Sequence, residues 1–412
     1  MNRKVLIVFL YLYAAFFSIA KTLRLPNDWA EAHWMLDYRF GFIKRGLAGE
    51  IFRWVSEKNE FNITILSAGI LFLLYLFIII IAVRETWKRS CNLSTVVFFL
   101  VFFLSQYLIF SAHLIGYLDH VVFLFAIAAV YLIRRDKIVL SSIIAAIGIL
   151  IHEISFFLLL PVCCTALICS RTERREFSLQ DGFSKDNLKR MAFFLTFPVL
   201  TTLLVIFCQE QQAMTFQVVY DYLRTFPFIT VKAADSVSSA YTKSFLYYLK
   251  DESGHFLQRL FISKATILYG IPQLLLLRML YRIFNLKGRF LLLISVTAAA
   301  FVPLLLNAIA FDTYRIWTFP YMILFLEFWV LSSRYSADPL EKNRLTSSEW
   351  FLFVLAAGLA GFVPNVLFDG ETERFSIALR FLLLLPVAGM LYWIQKAPAD
   401  TGGTKKLSEN EK

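Results

Sequence analysis

Long apolar runs alternate with short polar breaks over almost the whole chain. The runs are solidly apolar rather than alternating at every second residue, which predicts α-helices rather than strands. Each run is close to the length that crosses a hydrocarbon core of roughly 30 Å. About twelve spans are predicted in this way, at residues 5–20, 62–83, 94–110, 118–133, 138–151, 154–170, 191–208, 262–281, 290–310, 315–332, 351–367 and 375–394. We therefore expect an all-α, polytopic transmembrane helix bundle.

The composition agrees with a membrane protein. Hydrophobic residues make up 58% of the 412 residues and charged residues only 17%, whereas soluble domains carry about 25% charged residues. The formal net charge of +11 fits loop charge that sets topology and attracts anionic lipid head groups. The chain has no basic arm and no RNA-binding signature, so nucleic acid is not an expected partner.

The distribution of Lys and Arg predicts that both termini are cytoplasmic. With the N-terminus inside, most basic residues fall in the alternate loops that also lie inside, as the positive-inside rule requires. Two long loops, at about 21–61 and 209–261, then face outward. We expect residues 1–395 to form one integral membrane domain. Residues 396–412 are polar and contain glycine, which predicts a disordered cytoplasmic tail.

The first long outer loop contains a dense polar and aromatic segment, HWMLDYRFGFIKRGLAGE, from His33 to Glu50. Beyond Phe42, apolar residues recur at helical spacing: Ile43, Leu47, Ile51, Phe52 and Val55. This pattern is typical of a helix that lies in the membrane interface with its apolar side toward lipid. Asp37 precedes this helix, so we expect its carboxylate at the membrane surface beside several cations.

Further ionisable residues fall at the predicted outer ends of spans. They are His113, Asp119, His120, His152, Glu153, Asp312 and Arg315. The five histidines of the chain all fall on this predicted side. Charges at membrane depth are costly and are often functional, so we expect these residues to border one cavity that opens to lipid. Ordinary solvated turns and interhelical hydrogen bonds are the alternative interpretation.

The layout of the first loop and the many spans resembles the membrane glycosyltransferases of the GT-C class. Those enzymes take a sugar from a polyprenyl-phosphate or polyprenyl-diphosphate carrier, and their first outer loop places an acidic residue near a juxtamembrane helix. The segment LDYRFGFIKRG has one Asp where several such families have an acidic pair. The resemblance implies that Asp37 is the catalytic acidic residue. Pairing of Asp37 with Arg39, or capping of the helix, is the alternative.

The chemistry of such a transfer explains why these residue types are candidates. A carboxylate can take or orient the proton of an attacking sugar hydroxyl. Arg and Lys can neutralise the charge that develops on the leaving lipid phosphate. The candidates for binding the substrate are Lys44, Arg45, Arg53, Asp119, His120, His152, Glu153, Asp312 and Arg315.

The second long loop is similar in its placement to the external loop of O-antigen-type polysaccharide polymerases, and Arg224 fits the functional arginines of that loop. These resemblances imply an integral membrane glycosyltransferase or polysaccharide polymerase in cell-surface polysaccharide assembly. It would act at the outer face of a bacterial cytoplasmic membrane. Its partners would be a polyprenyl-linked sugar or oligosaccharide and membrane lipids. No cofactor is evident, and no metal-ligand spacing in the sequence supports a divalent metal.

Two other functions stay open at this point. A transporter or a lipid-linked oligosaccharide flippase also suits many spans with both termini inside, and Glu327, which falls inside the tenth predicted span, could be its proton site. An acyltransferase that modifies surface glycans would need a site based on His or Ser, for which His152 is available. Charges at the edges of spans and two long outer loops favour the glycosyltransferase.

Overall fold

The computed structural model describes residues 2–171, 184–211, 215–335 and 345–396. Every regular element within these ranges is helical, which confirms the all-α prediction. Helices satisfy their own backbone hydrogen bonds, as a segment surrounded by lipid requires. The predicted tail at 396–412 lies outside the described residues, except that Lys396 is the last residue of the final helix.

Nineteen α-helices lie within the described residues. In chain order they are α1 (Arg3–Ala20), α2 (Asp28–Met35), α3 (Gly46–Val55), α4 (Glu60–Lys88), α5 (Leu93–Leu104), α6 (Gln106–His113), α7 (Asp119–Arg134), α8 (Ile138–Ile151), α9 (Ser155–Arg171), α10 (Lys185–Gln211), α11 (Phe216–Arg224), α12 (Val231–Thr242), α13 (Phe245–Glu252), α14 (Lys264–Ile283), α15 (Phe290–Phe301), α16 (Thr313–Ile316), α17 (Phe319–Ser332), α18 (Ser347–Phe362) and α19 (Ile377–Lys396). Short 3₁₀ segments lie at Tyr38–Phe40, Ser253–His255, Val302–Ala308 and Phe368–Gly370, and a π-helical segment at Gln258–Ile262.

The described ranges contain six helical segments that are long and apolar enough to cross a membrane. They are Arg3–Ala20, Glu60–Lys88, Leu93–His113, Lys185–Gln209, Phe290–Ala308 and Ile377–Lys396. Each of the twelve predicted segments contains a helix, but a crossing by about twelve spans is not confirmed. Length is one reason, because a helix such as α17, with 14 residues, extends only about 21 Å at roughly 1.5 Å per residue.

The centre of the bundle is formed by α5 and α17, in which every residue is buried. A helix that is apolar on all sides belongs inside a bundle. The rings of Phe98 and Phe99 both lie 4.7 Å from the ring of Phe328, measured between centroids. Between lipid-surrounded helices such close packing replaces the hydrophobic effect as the main source of stability. On the periphery, α10 exposes Leu203 and Phe207, as a lipid-facing helix would.

Basic residues from the segments that were predicted to lie inside bind backbone carbonyls of neighbouring segments at one end of the bundle. Arg3 donates to the carbonyl of Cys91 at 3.1 Å, and Arg89 donates to the carbonyl of Tyr335 at 2.9 Å. We call this the basic end. The two long loops lie at the opposite end, which we call the loop end. The cytoplasmic location of the basic end stays a prediction.

The two long loops fold together into a helical layer over the loop end, with a small core of its own. Trp34 and Phe52 of the first loop and Val237 and Tyr241 of the second are buried in it. In this layer Arg224 donates to the carbonyl of Ile229 at 2.6 Å. The layer fixes the first loop against the spans, so that its charged residues have defined positions.

The predicted interfacial helix is present as α3, but its apolar residues are divided between two sides. Ile43 and Phe52 are buried in the protein, and the ring of Phe52 packs against Trp34 with centroids 5.9 Å apart. Trp54 and Val55 are exposed, at 74% and 71%. The helix therefore docks on the layer with one side and presents an apolar edge with the other, rather than turning its whole apolar face to lipid.

A close backbone approach explains one glycine of the segment that opens α3. A Cβ atom added at Gly49 would lie 2.0 Å from the carbonyl oxygen of Leu36. Only glycine leaves room for the chain that enters the Asp37 turn to pass so close to α3. Gly69 in α4 has no atom within 4 Å of the same position and is a suitable comparison.

We expect Gly49→Ala to destabilise the protein by about 1–3 kcal/mol or more, since overpacking against backbone forces α3 away from the preceding turn. Gly69→Ala should leave stability unchanged or raise it slightly, because alanine is the better helix former. Thermal unfolding of the purified variants in detergent measures both. Equal melting temperatures for the two variants would contradict the proposed close approach.

Candidate functional site

A network of ion pairs at the loop end gathers residues from separate parts of the chain. Its members, which we call the loop-end cluster, are His33, Arg45, Asp119, His152, Glu153, Asp312 and Arg315. The first two come from the first long loop. Asp119 begins α7, His152 and Glu153 lie in the turn between α8 and α9, Asp312 precedes α16, and Arg315 lies in α16. Six of these residues, all except His33, were predicted from the sequence as candidates for one site, and the structure brings them together.

Arg315 is the centre of one half of the cluster. Its Nε and Nη2 donate to the two carboxylate oxygens of Asp119 at 2.8 and 2.7 Å, and its Nη1 donates to Oδ2 of Asp312 at 3.1 Å. The side chains of Arg315 and Asp119 are only 13% and 8% exposed. The guanidinium also lies over the ring of Tyr117, at 5.0 Å from its centroid. A planar fork that meets a carboxylate at two points is a strong and well-oriented pair.

Arg45 and Glu153 form the other half. Nε of Arg45 donates to both carboxylate oxygens of Glu153, at 3.0 and 2.8 Å, and Nη2 makes a further bond to the same carboxylate. Arg45 has φ 60° and ψ 2° at the residue before α3, in the left-handed region that side chains other than glycine adopt at a cost of about 1–2 kcal/mol. This conformation starts α3 and directs the guanidinium to the turn between α8 and α9.

His152 lies between the two halves. Its Nε2 is 3.9 Å from Oδ1 of Asp119, and its Nδ1 is 3.3 Å from Oε2 of Glu153. The backbone N–H of Ile154 donates to Nδ1 at 3.4 Å. Burial and the neighbouring Arg45 lower the pKa of His152 despite these carboxylates. A neutral imidazole therefore links the pairs at ordinary pH.

His33 and Tyr241 were not among the predicted site residues. Nδ1 of His33 is 3.3 Å from the hydroxyl of Tyr241, and the Arg45 guanidinium lies 5.9 Å from the centroid of the same tyrosine ring. Burial and Arg45 hold the pKa of His33 well below its usual value. His33 could have been included in the predicted site, because all the histidines fall on the same predicted side of the membrane. The position of Tyr241 could not be predicted, because it depends on how the second loop folds back.

Asp312 differs from the other carboxylates of the cluster. Its Oδ2 accepts a hydrogen bond from Arg315, but its Oδ1 is buried and has no hydrogen-bond partner among the residues that the structure describes. Burial raises the pKa of Asp312 even though Arg315 opposes the shift. A buried acceptor without a partner is unusual in a folded protein, and such a carboxylate is available to a proton or a ligand.

Asp37 and Arg53 lie in contacts of their own. Oδ1 of Asp37 accepts from Nε of Arg39 at 2.8 Å, and Oδ2 accepts from Nζ of Lys58 at 2.6 Å. Burial opposes ionisation of Asp37, but these two hydrogen bonds outweigh it and lower the pKa. Arg53 pairs with Glu50 on α3. The alternative interpretation, in which Asp37 pairs with Arg39, matches the observed contact.

Lys44 and His120 border the cluster. Nζ of Lys44 donates to the carbonyl of Lys243 at 2.9 Å and lies 5.5 Å from the ring centroid of Tyr248. Nδ1 of His120 is 3.0 Å from the carbonyl oxygen of Tyr117, so the ring is fixed beside Asp119. Within the described ranges, no group of three or more His, Cys, Asp or Glu side chains is arranged to hold a metal ion.

We expect Arg315→Met to lower the free energy of unfolding by about 3–5 kcal/mol, because it leaves two buried carboxylates without their cation. Asp119→Asn combined with Arg315→Met should cost less than the sum of the single changes, as in a coupled pair. Arg53→Met is the control, since 43% of the Arg53 side chain is exposed and exposed pairs contribute only about 0–1 kcal/mol. Additive effects of the Asp119 and Arg315 changes on thermal unfolding would contradict the pairing.

Comparison with known protein families gives a match to part of the chain. The model of a family described as "Uncharacterised membrane protein Rv1490" matches residues 4–175. That segment contains His33, Arg45, Asp119, His152 and Glu153, but neither Asp312 nor Arg315. A search of curated proteins and a search of solved structures both returned no match. The match and the apolar helices identify the chain as a helical membrane protein.

Proposed function

We propose that the protein is an integral membrane glycosyltransferase or polysaccharide polymerase that uses a polyprenyl-phosphate-linked sugar. The reaction would take place at the loop end, on the extracytoplasmic side of a bacterial cytoplasmic membrane. The observation that carries the proposal is the free Oδ1 of Asp312, a buried carboxylate oxygen beside Arg315 in a cluster that also contains Arg45. A proton acceptor and fixed cations at one place are what a sugar transfer from a lipid phosphate requires.

In the proposed step, a hydroxyl oxygen of the acceptor attacks the anomeric carbon of the donor sugar. The bond from that carbon to the phosphate oxygen breaks, and its electron pair stays on the lipid phosphate. The hydroxyl proton passes to Oδ1 of Asp312. Arg45 uses Nε and Nη2 for Glu153, which leaves the N–H groups of Nη1 for the phosphate, since a guanidinium has five donors. Arg315 holds Asp312 in place.

The geometry favours Asp312 over Asp37 as the proton acceptor. Both carboxylate oxygens of Asp37 already accept hydrogen bonds from cations, which weakens its basicity. Asp312 keeps one oxygen free, and its raised pKa makes it the better base. A role of Asp37 in catalysis stays a prediction, and its contacts also suit a residue that holds the first loop in shape.

Asp312→Asn is expected to abolish surface-glycan synthesis in the native host while the protein accumulates normally, because the amide cannot accept the proton. Gel analysis of the glycan and a blot of the membrane fraction measure the two effects. Asp37→Asn in the same host is the matched comparison and should reduce synthesis less. Normal glycan at a normal level of Asp312→Asn protein would remove Asp312 from the mechanism.

A transporter or flippase is the second candidate, favoured by two observations away from the loop end. Glu327 is fully buried in α17, and neither carboxylate oxygen has a hydrogen-bond partner among the described residues. A cavity of about 280 Å³ opens at the basic end, where Arg134, Arg334 and Ser170 line it. A protonatable group inside a bundle and a basic chamber at its end suit a coupled transporter.

If transport is the function, Glu327→Gln should abolish it by removing the proton site, and Asp312→Asn should leave it intact. The measurement is the appearance of surface glycan together with accumulation of lipid-linked precursor inside the cell. The transferase proposal expects the opposite order of effects. Full activity of Glu327→Gln would exclude the transporter interpretation that rests on this carboxylate.

A further inference from the structure

Lys44 is a buried ammonium without a carboxylate partner. The residue is 7% exposed, and its Nζ contacts the carbonyl of Lys243 and the ring of Tyr248. No carboxylate of the described chain lies within ion-pair distance of it. Glu153 is close enough to favour its charge, but that carboxylate is bonded to Arg45.

Two other lysines with buried side chains have acidic partners. Nζ of Lys21 lies 3.8 Å from Oε2 of Glu373, and Nζ of Lys58 lies 2.6 Å from Oδ2 of Asp37. A desolvated cation needs a counter-charge to remain charged. Lys44 therefore differs from Lys21 and Lys58 in the one respect that matters for binding an anion.

The surroundings of Lys44 include the end of a candidate membrane span. The carbonyl of Lys243, which accepts from Lys44, also accepts from Nε2 of Gln209 near the end of the candidate span α10. Tyr248 belongs to α13, a helix whose Leu246 is 66% exposed. Lys44 thus lies where a span, the layer and an exposed apolar helix meet.

The exposed apolar surface continues past α13 into the π-helical segment. Leu257, Phe261 and Ile262 are exposed at 65%, 68% and 78%. A short amphipathic stretch with such residues on one side suits the boundary between head groups and hydrocarbon. A long lipid chain can pack there while its head group reaches inward to Lys44.

We propose that Lys44 binds the phosphate of a polyprenyl phosphate that enters sideways from the membrane along α13 and the π-helical segment. This proposal rests on the proposed function, because the entry route leads to Arg45 and the loop-end cluster, where the sugar transfer would take place. The phosphate would meet Lys44 before Arg45, the next residue along the chain. The two sequential cations would pass the head group from the membrane surface to the cluster.

The protonation state of Lys44 adds a measurable property. Burial lowers the pKa of Lys44 to about 8, with Glu153 opposing the shift and Arg45 adding to it. The other charged or titratable groups beside it are Lys243 and Tyr248. Binding of a phosphate should therefore weaken as the pH rises above this range, because the neutral amine has lost its charge.

The test uses the full chain in nonionic detergent, with polyprenyl monophosphate as the probe and thermal stabilisation as the signal. Wild-type protein should be stabilised in a saturable manner. Lys44→Met should bind at least about tenfold more weakly, which corresponds to roughly 1.4 kcal/mol, whereas Lys44→Arg should retain binding. Lys250→Met is the matched control, because Lys250 is an exposed lysine of α13.

Two further probes identify the source of the phosphate. Phosphatidylglycerol and inorganic phosphate replace the polyprenyl lipid in otherwise identical melts. Stabilisation by polyprenyl monophosphate alone supports the proposal. Equal stabilisation by phosphatidylglycerol assigns the site to ordinary membrane lipid and overturns it, as does unchanged binding by Lys44→Met protein that melts like the wild type.

Failure of this inference and failure of the proposed function give different results. Asp312→Asn should keep the Lys44-dependent binding while it loses glycan synthesis. Binding without any effect of Asp312→Asn on the glycan would reject the proposed mechanism at Asp312 and leave the lipid site. Loss of glycan in Asp312→Asn without Lys44-dependent binding would reject the entry route and leave the transferase.

Discussion

A guanidinium cannot stay unpaired inside an apolar bundle, and the contacts of Arg315 satisfy this constraint. Its pairing with Asp119 and Asp312 ties the start of α7 to the segment before α16, parts of the chain that are far apart in sequence. Every carboxylate oxygen of those two residues accepts a hydrogen bond from Arg315, except Oδ1 of Asp312. The same interaction that holds the spans together at the loop end therefore produces the open acceptor on which the proposed chemistry depends.

The helical layer formed by the long loops gives the cluster its second half. Without it, Arg45 would belong to a loop that is free to move, and Glu153 would sit in a short turn between two apolar helices. Burial of Phe52 and Tyr241 in one small core fixes α3 over that turn. The packing of this small core thus determines the position of the Arg45 guanidinium relative to the Glu153 carboxylate.

The helices and much of the cluster were accessible to sequence reasoning for a simple reason. Solid apolar runs leave helix as the only economical state in lipid, and the alternation of spans places their ends on one side or the other. Asp119, His152, Glu153 and Arg315 could be grouped on that basis alone. The contact of Asp37 with Lys58 could not be predicted in this way, because Lys58 reaches Asp37 only after α3 has folded back. Tyr241 and the inward turn of Phe52 depend on the same tertiary packing, and short helices such as α17 left the number of crossings open.

The left-handed backbone at Arg45 places two opposing requirements on the residue at this position. Glycine or asparagine would relieve the strain of the main chain there. Neither residue, however, could reach Glu153 in the turn between α8 and α9. A shorter residue would consequently stabilise the start of α3 but would lose the ion pair that links α3 to the turn between α8 and α9. At this single site, the stability of the backbone and the position of the positive charge therefore depend on different properties of the residue. The native sequence keeps the charge in place at the cost of local backbone strain.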